Sequence, residues 1–492
     1  MAILGIDLGT QTIKAALLEP DGKVLGLAKK AQKVDSPHPG WAQQQPKLWW
    51  QRIKESIQIL IKQFNTLPEI KGICVCGQMH GPVGLDKNGM ITTEWTQIWS
   101  DKRSEEVCKE IRKKYNEQEL AKITGNPITT GWPGVKVSWI KQNQPKIYDK
   151  SKWFLVPKDF INFKLTGKFY TDPSEASGTY LYDTSTNDYS NEMGKILGID
   201  ITKFAKITDS YEIIGEIKSE VAKELGLPNN VPVLTGGGDF IVSLLGLGLI
   251  RSDSAVDMTG TSTLFVVKRK EPILNPGIQN LRHVINGWTP FTMLDCGGLS
   301  MTWCRDFLNS VKEEEFPYEE MIKMASKIDI GSEGLLFYPY LLGERRPENV
   351  LARGSFFGIT LNHQAAHFAR SIMEGVSFAI GKDAQLFKEA GVDIDEVFCV
   401  GGGTNNKLLY NIKANVMNIP QIIINEPEAS LRGNALLAAY GLKIIDDIEK
   451  TAKIEDSKKE VIFPNETAVK KYRVLQNDFM KMYNHLLGYW KI

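Results

Sequence analysis

The chain contains the same short pattern twice, about half its length apart. An apolar strand, a Gly-Thr turn and a second strand occur first in AILGIDLGTQTIKAALL and again in AVDMTGTSTLFVV. Aligning the two turns places Gly9 on Gly260. Two copies at this separation predict two similar domains with a cleft between them, although a match this short also arises by chance.

Other segments alternate strands with helices. VPVLTGGGDF predicts a buried strand, a glycine turn and a helix beginning near Asp239, and VFCVGGGTNNKLL predicts the same elements with a helix from about Asn405. Apolar residues at helical spacing predict a helix from His367 to Gly391 and a long helix after Pro464. This alternation predicts α/β layers.

The length of 492 residues exceeds what one hydrophobic core usually supports. We therefore predict an N-terminal domain over 1–249 and a C-terminal domain over 250–445, with the boundary near Leu249 to Asp253. Residues 446–492 are expected to form a charged, solvated linker, EKTAKIEDSKKE, and the terminal helix.

Composition excludes several classes of partner. Because 59 Lys and Arg face 58 Asp and Glu, the chain has no basic surface typical of nucleic-acid binding. The six cysteines have no disulfide-rich spacing, and Cys74 and Cys76 fit a buried strand better than a metal site. The N-terminus lacks the features of a signal peptide, and the longest apolar segment is too short for a membrane span. We expect a cytoplasmic protein without membrane partners.

The two Gly-Thr turns are candidates for binding the phosphates of a nucleotide. Backbone N–H groups approach phosphate oxygens where no Cβ intervenes, as at Gly9 and Gly260. Hydroxyl groups lie beside both turns, on Thr10, Thr12, Thr261 and Ser262. Ordinary hairpin turns explain each pattern equally well. The chain has no GxxxxGK[ST] sequence, which excludes a P-loop.

Two carboxylates are candidates for the chemistry of phosphoryl transfer. Asp7 precedes the first turn within an apolar strand, where it is a candidate acid for magnesium, either directly or through a water; Met258 stands at the matching place of the second copy. Asp239 opens a helix, whose dipole is expected to favour the anion and make it a weak base. Asp239 is equally compatible with a simple helix cap.

Two further groups of residues are candidates for ligand binding. The glycines of GGGTNN, from Gly401, would let an adenosine approach the backbone, or they only pack a turn. The segment GQMHG follows an apolar strand, where ligands bind in α/β sheets, and Trp99 lies in the segment IWSDKR. Polyol recognition needs such polar groups, whereas a core histidine and a surface ion pair are the alternative interpretations.

Together these segments resemble the FGGY family of carbohydrate kinases, and within it the members that act on D-xylulose. The resemblance spans nearly the whole chain, with 131–143 and 354–375 similar to the two family signatures. The matching segments are GIDLGTQTIK, HPGWAQQQPKLWW, GQMHG, GWPGVKVSWIKQN, VPKDFINFKLTG, TDPSEASGT, GGGD, TGTST, GERRP, ARGSFFGIT, HFARSIMEG and GGGTNN.

The resemblance implies two actin-like (ribonuclease H-like) domains and ATP-dependent phosphorylation of a ketose, D-xylulose to D-xylulose 5-phosphate. It implies Asp7 as the magnesium-associated acid and Asp239 as the general base. The implied ATP-binding residues are Gly9, Thr10, Thr12, Lys14, Gly260, Thr261, Ser262, Gly402, Gly403 and Asn406. The implied sugar-binding residues are Gln78, Met79, His80, Trp99, Asp101 and Asp239. A homodimer is common in the family.

Several positions depart from the family pattern. The family often has Glu at Gln43, Asn at Ser100, Asp at Asn415 and a smaller or polar residue at Phe240. The identity of the sugar therefore stays open among D-xylulose, sedoheptulose, L-xylulose and gluconate. An actin-like ATP-binding switch has no use for GQMHG and IWSDKR, and a non-catalytic sugar-binding regulator has no use for the two carboxylates.

Overall fold

A computed structural model of the chain describes residues 1–250, 254–310, 317–344 and 351–490. The chain divides into two compact units, which are not contiguous in sequence. Unit 1 consists of 1–250, 269–289 and 428–453, and unit 2 of the described residues within 251–268, 290–427 and 454–492. Residues 251–253 of the predicted boundary, and Arg345 to Pro347 of GERRP, lie outside the described residues.

Unit 1 is built on a sheet whose first three strands form an antiparallel meander, and the first two are those predicted on either side of the first Gly-Thr turn. The strand Ile70–Gly77 runs parallel to the first strand and pairs on its other side with Pro232–Leu234 and, further along, with Gly237–Gly238. The order across the sheet is Ile213–Glu216, Pro232–Leu234, Ile70–Gly77, Ala2–Leu8, Thr12–Leu18 and Val24–Ala31. Cys74 and Cys76 are fully buried in this sheet, which confirms the buried-strand interpretation.

The sheet of unit 1 is covered by helices that present apolar stripes. In the helix Pro46–Ile61, Trp49, Ile53 and Ile57 are buried in the core beside the strands. The other α-helices of the unit are Glu105–Lys114, Glu117–Thr124, Pro133–Asn143, Pro145–Lys150, Pro157–Thr166, Pro173–Ser177, Asn191–Leu197, Ser219–Leu225, Asp239–Gly246, Ala429–Gly441 and Ile448–Thr451.

Unit 2 contains a sheet with the same strand order and directions as unit 1. Given in the same direction as for unit 1, the order is Lys459–Ile462, Gln421–Ile424, Glu396–Val400, Ser254–Thr259, Thr263–Val267 and Trp288–Leu294. The strands Ser254–Thr259 and Glu396–Val400 are parallel, like Ala2–Leu8 and Ile70–Gly77. This agreement in topology supports the duplication that the repeated turn predicted. The α-helices of unit 2 are Gly297–Asn309, Tyr318–Ala325, Ala365–Glu389, Lys407–Met417 and Glu466–Tyr489.

Short strands complete the two units. In unit 1 they are Gln43–Gln44, Val83–Leu85, Thr96–Gln97, Trp153–Leu155, Tyr170–Thr171, Tyr182–Asp183, Asp188–Tyr189, Lys206–Ile207 and Gln279–Arg282. In unit 2 they are Leu336–Tyr338 and Ser355–Phe357. No helix of the described residues combines the length and the apolar character that crossing a membrane requires.

The predicted helices are confirmed as Ala365–Glu389 and Glu466–Tyr489, the latter capped by Asn465. The prediction of a solvated linker is wrong at its C-terminal end, because Lys459–Ile462 is a strand paired with Gln421–Ile424. The predicted division at 445 also differs from the structure, since the helix Ala429–Gly441 packs on the sheet of unit 1.

Candidate active site

Asp7 lies in unit 1, near the carboxyl end of its strand. It stands directly opposite Lys14 in the antiparallel pair and beside Cys76 in the parallel one. Its Oδ2 accepts a hydrogen bond from Ser430 Oγ at 2.7 Å and lies 3.9 Å from Lys14 Nζ. Burial raises the pKa of Asp7, although Lys14 opposes the increase. Its buried Oδ1 receives no hydrogen bond from the described residues and is available to a ligand.

Lys14 is held by a carboxylate that the sequence analysis missed. Glu428 accepts from Lys14 Nζ at 2.8 Å and from Lys29 Nζ at 2.6 Å. Glu428 and Ser430 lie at the start of the helix Ala429–Gly441, more than 400 positions after Asp7 and Lys14. A polyphosphate that binds Lys14 must therefore compete with Glu428 for this ammonium group.

Asp239 begins the helix Asp239–Gly246, as predicted, but its side chain does not cap the helix in the usual way. Gly238 is the capping residue, and Asp239 Oδ1 accepts only from the adjacent Phe240 N–H, at 2.7 Å. Gly237, two positions earlier, pairs with Cys76, which also pairs with Asp7. The two carboxylates therefore lie at the carboxyl ends of two parallel strands that flank the strand Ile70–Gly77 on opposite sides.

The expected protonation of Asp239 is corrected by the structure. Burial, followed by the negative charge of Asp7, raises the pKa of Asp239 to about 7. The hydrogen bond from the Phe240 N–H and the positive charge of Lys14 lower the pKa only in part. A carboxylate with a pKa near neutrality is a better proton acceptor than the weak base that the sequence suggested.

The raised pKa predicts a pH-dependent stability difference between the wild type and Asp239→Asn. Between the ordinary value of 3.8 and about 7, folded Asp239 keeps a proton that the unfolded chain has released, so the wild type loses stability as the pH rises through this window. The asparagine variant has no such loss. The unfolding free energy of Asp239→Asn should therefore equal that of the wild type at about pH 4 and exceed it by roughly a few kcal/mol above pH 7.

Denaturant unfolding of both proteins in metal-free buffer, at several pH values, measures this difference. Asp200→Asn is a suitable control, since its carboxylate also lies at a helix start but burial does not dominate its pKa, which hydrogen bonds from Thr202 lower. A gain that is constant with pH would contradict the raised pKa of Asp239.

The glycine turn before Asp239 is required by packing. A Cβ on Gly236, which has φ +69°, would lie 1.9 Å from the carbonyl oxygen of Val75, and one on Gly238 would lie 2.6 Å from Met79 Sδ. Three glycines in sequence therefore bring the backbone before Asp239 against the central strand and against Met79. This places one predicted sugar-binding residue directly beside the turn that leads into Asp239.

Gln78 and Trp99 are both joined to Thr10 of the first turn. Thr10 Oγ1 donates to Gln78 Oε1 at 3.2 Å and accepts from Trp99 Nε1 at 3.1 Å. Gln44 accepts from Gln78 Nε2 at 2.7 Å and donates to the Thr10 carbonyl at 2.8 Å. The Gln78 amide is thus occupied at both ends, so the geometry favours a role in positioning the turn over a direct sugar contact. Gln44 was not among the predicted site residues, although it lies in the matching segment HPGWAQQQP.

His80 has the geometry of a ligand-binding residue. Its φ is +71°, and its ring packs edge-on against Trp132 at 5.0 Å. Gly178 makes room for the ring, because a Cβ there would lie 2.5 Å from His80 Cε1. The buried Nδ1 has no hydrogen-bond partner among the described residues, and burial lowers the His80 pKa to about 3. A neutral imidazole with one unused nitrogen can bind a hydroxyl group.

Asp101 is fully buried and paired within the protein. Arg103 contacts both of its carboxylate oxygens, and the Ala42 N–H donates to Oδ2 at 2.6 Å. Arg103 also lies over the Trp41 ring at 3.6 Å and donates to Gln43 Oε1 at 2.8 Å. The ion pair is therefore buried, not at the surface. Gln43, where the family often has Glu, places a neutral amide oxygen instead of a carboxylate beside Arg103.

Gly9 belongs to a tight turn, since a Cβ there would lie 2.8 Å from the Thr12 carbonyl oxygen. In unit 2, a Cβ on Gly260 would meet no atom within 4 Å, so packing does not explain that glycine. Thr261 is exposed and Ser262 half-buried at the same turn. The hairpin interpretation therefore gains support at Gly9, whereas Gly260 leaves its backbone open to a ligand.

The turn at Gly401 to Gly403 packs on Thr259 in unit 2. A Cβ on Gly401 would lie 2.5 Å from the Thr259 carbonyl oxygen and one on Gly403 2.6 Å from Thr259 Cγ2, while Gly402 has open space. Buried Lys413 holds this region, donating to Asp257 Oδ2 at 2.6 Å and to Thr259 Oγ1 at 3.0 Å. The second Gly-Thr turn and the GGG turn are thus joined through Thr259.

Asn406, predicted to border the adenosine, is a buried helix cap. Its side-chain oxygen accepts from the Leu409 N–H at 3.1 Å, and the helix begins at Lys407, two residues later than predicted. The delay arises because residues Gly402–Asn405 form a 3₁₀ turn. Of the predicted adenosine residues, Gly402 has the open backbone.

Comparison with known proteins identifies the class. Residues 2–246 and 256–442 match the N-terminal and C-terminal domains of the FGGY family of carbohydrate kinases. The xylulose kinase of Staphylococcus epidermidis is 32% identical over 471 residues, which cover 94% of this chain and 92% of that protein. The structure of xylulose kinase from Rhodospirillum rubrum covers 100% of both chains, with a TM-score of 0.94 and 25% identity.

A gluconate kinase structure from Lactobacillus acidophilus is also similar, with a TM-score of 0.90, 26% identity and coverage of 99% of this chain and 98% of that one. The two sheets of common topology are thus those of an actin-like sugar kinase. The chain belongs to the FGGY family of carbohydrate kinases.

Proposed function

We propose that this protein transfers the γ-phosphoryl group of ATP to a hydroxyl of a ketose, converting D-xylulose to D-xylulose 5-phosphate. The observation that carries the proposal is the pair of carboxylates, Asp7 and Asp239, at the ends of two strands of unit 1 that flank the strand Ile70–Gly77. Unit 1 would bind the sugar and magnesium, and unit 2 the nucleotide.

In this mechanism Asp239 accepts the proton of the attacking sugar hydroxyl. Phosphoryl transfer has a loose transition state, so catalysis depends mainly on positioning and on electrostatic stabilisation. A pKa of about 7 allows Asp239 to be ionised before attack and to take up the proton as the bond to phosphorus forms. No covalent enzyme intermediate is required.

Asp7 is the residue of this site whose chemistry fits magnesium. Its Oδ1 is buried, has no partner among the described residues and is the hard oxygen ligand that Mg²⁺ prefers. When bound, magnesium would neutralise charge on the phosphate oxygens. Lys14 lies opposite Asp7 and would add a positive charge for the phosphates once released from Glu428.

The sugar-side charges favour a neutral substrate. Arg103 is paired with Asp101, and Lys136 donates to the carbonyl groups of His80 and Ile98 at 2.9 and 2.8 Å. Burial lowers the Lys136 pKa to about 7, and His80 is neutral. Asp101 neutralises Arg103, His80 is neutral, and burial disfavours the charged form of Lys136, so these groups offer little positive charge to the carboxylate of gluconate. This supports a ketose despite the structural similarity to a gluconate kinase.

We expect kcat/KM for D-xylulose to exceed that for gluconate by about tenfold or more, because the carboxylate of an aldonate would be left without a counter-charge. Sedoheptulose and L-xylulose, the other candidate ketoses, complete the panel. Coupled ADP release, with identification of each phosphorylated product, measures the panel. Preference for gluconate would contradict the substrate assignment.

A reaction without sugar serves as the control in the same assay. ADP release that does not depend on sugar would favour the ATP-binding switch over the kinase. We further propose a cytoplasmic location, which is supported by six buried cysteines without disulfide-rich spacing.

A further inference from the structure

Two segments that match the family have no role in the proposed reaction. VPKDFINFKLTG and TDPSEASGT form the helices Pro157–Thr166 and Pro173–Ser177 of unit 1. Their buried polar side chains converge on the backbone of the turn Thr235 to Gly238, which leads directly into Asp239.

The beginning of this turn is held through a carbonyl group. The carbonyl oxygen of Thr235 accepts from Asn162 Nδ2 at 2.8 Å and from Lys158 Nζ at 3.2 Å. Asn162 and Lys158 lie one helical turn apart on the same helix and are fully buried. Two donors on one rigid helix thus fix the position of this peptide group.

The end of the turn is held through an amide group. The Gly238 N–H donates to Ser174 Oγ at 3.0 Å, and Ser174 Oγ in turn donates to Asp172 Oδ2 at 2.6 Å. Gly238 is the residue immediately before Asp239. A change in Ser174 therefore acts on the backbone that carries the base.

The two attachments are linked by a buried ion pair. Lys158 Nζ lies 3.1 Å from Asp172 Oδ1 and also contacts Asp159 Oδ1 at 2.5 Å, and all three side chains are buried. Removing two charges from water is costly, and such a pair adds little net stability compared with apolar packing. Its contacts instead define a unique geometry, since the same two residues reach both ends of the Thr235–Gly238 turn.

We propose that Ser174, Asn162 and the Lys158–Asp172 pair are positioning residues that fix the orientation of Asp239 for proton transfer. This inference rests on the proposed role of Asp239 as the base. The chain offers a matched control in Ser210, whose buried hydroxyl donates to the same Asp172 Oδ2 at 2.8 Å but whose side chain makes no hydrogen bond to the turn.

The test compares Ser174→Ala, Ser210→Ala and Asp239→Asn for kcat, for KM of ATP and sugar, and for thermal unfolding. Ser210→Ala loses one hydrogen bond to Asp172, whereas Ser174→Ala loses that bond and the one from the Gly238 N–H and should lose more stability. Only Ser174→Ala should lower kcat, by about 10- to 100-fold, because small displacements of a catalytic group are costly. KM for ATP should stay within about twofold of the wild type, since the nucleotide turns are unchanged.

Wild-type-like kcat in Ser174→Ala, or an equal loss in Ser210→Ala, would overturn the inference. If Asp239→Asn turns over normally, the base assignment itself fails; if only Asp239→Asn is inactive, the positioning inference alone fails. Should Ser174→Ala be insoluble, Asn162→Ala tests the other attachment, with a loss of kcat expected and an unchanged kcat contradicting the proposal.

Discussion

Asp239→Asn is expected to reduce kcat by about 10²- to 10⁴-fold, the usual contribution of a positioned general base. The asparagine keeps the size and the acceptor oxygen of the side chain but has no proton affinity near neutral pH. ATP and sugar should bind with dissociation constants close to those of the wild type. Steady-state kinetics and calorimetric titration with each ligand measure the two effects separately.

The substitution also separates the base from the helix cap. Asparagine caps helices about as well as aspartate, so a capping role predicts an active and stable variant. In the structure Gly238 is the capping residue, and Asp239 contacts only the next N–H group. Turnover within a few fold of the wild type would reject Asp239 as the base.

The sequence predicted the local elements of the site because their signals are local. The hairpin at Asp7, the turn before Asp239 and the strand that ends at Gly77 all depend on glycine positions and apolar alternation within a few residues. The strand Lys459–Ile462 was missed because its charged side chains lie at the edge of a sheet, where solvent is accessible.

The missed site residues have a different cause. Glu428 and Ser430 reach Lys14 and Asp7 only through the packing of the helix Ala429–Gly441 on the N-terminal sheet. Nothing in a single sequence indicates that pairing across more than 400 positions. The pKa of Asp239 was missed for the same reason, since it depends on burial and on the charge of Asp7, which lies far away in the chain.

Asp7→Asn is expected to lower kcat by about 100-fold or more and to raise the magnesium concentration needed for half-maximal rate, because removing one charged group from such an electrostatic site costs several kcal/mol, roughly. The neutral amide keeps the hydrogen bond to Ser430 but loses the anionic oxygen that the proposal gives to the metal. Rates measured over a magnesium series test this. Ser430→Ala is the control, since it removes only the partner of Oδ2, and an unchanged magnesium requirement in Asp7→Asn would contradict the assignment.

The same variant tests the electrostatic link between the two carboxylates without any turnover. Because the charge of Asp7 helps to raise the pKa of Asp239, Asp7→Asn should bring that pKa back toward its ordinary value. The stability gained above pH 7 on replacing Asp239 with asparagine should then be smaller in the Asp7→Asn background than in the wild type. A double-mutant cycle of unfolding free energies in metal-free buffer measures this coupling. Strict additivity would show that burial alone sets the proton affinity of Asp239, and that Asp7 does not prepare it as a base.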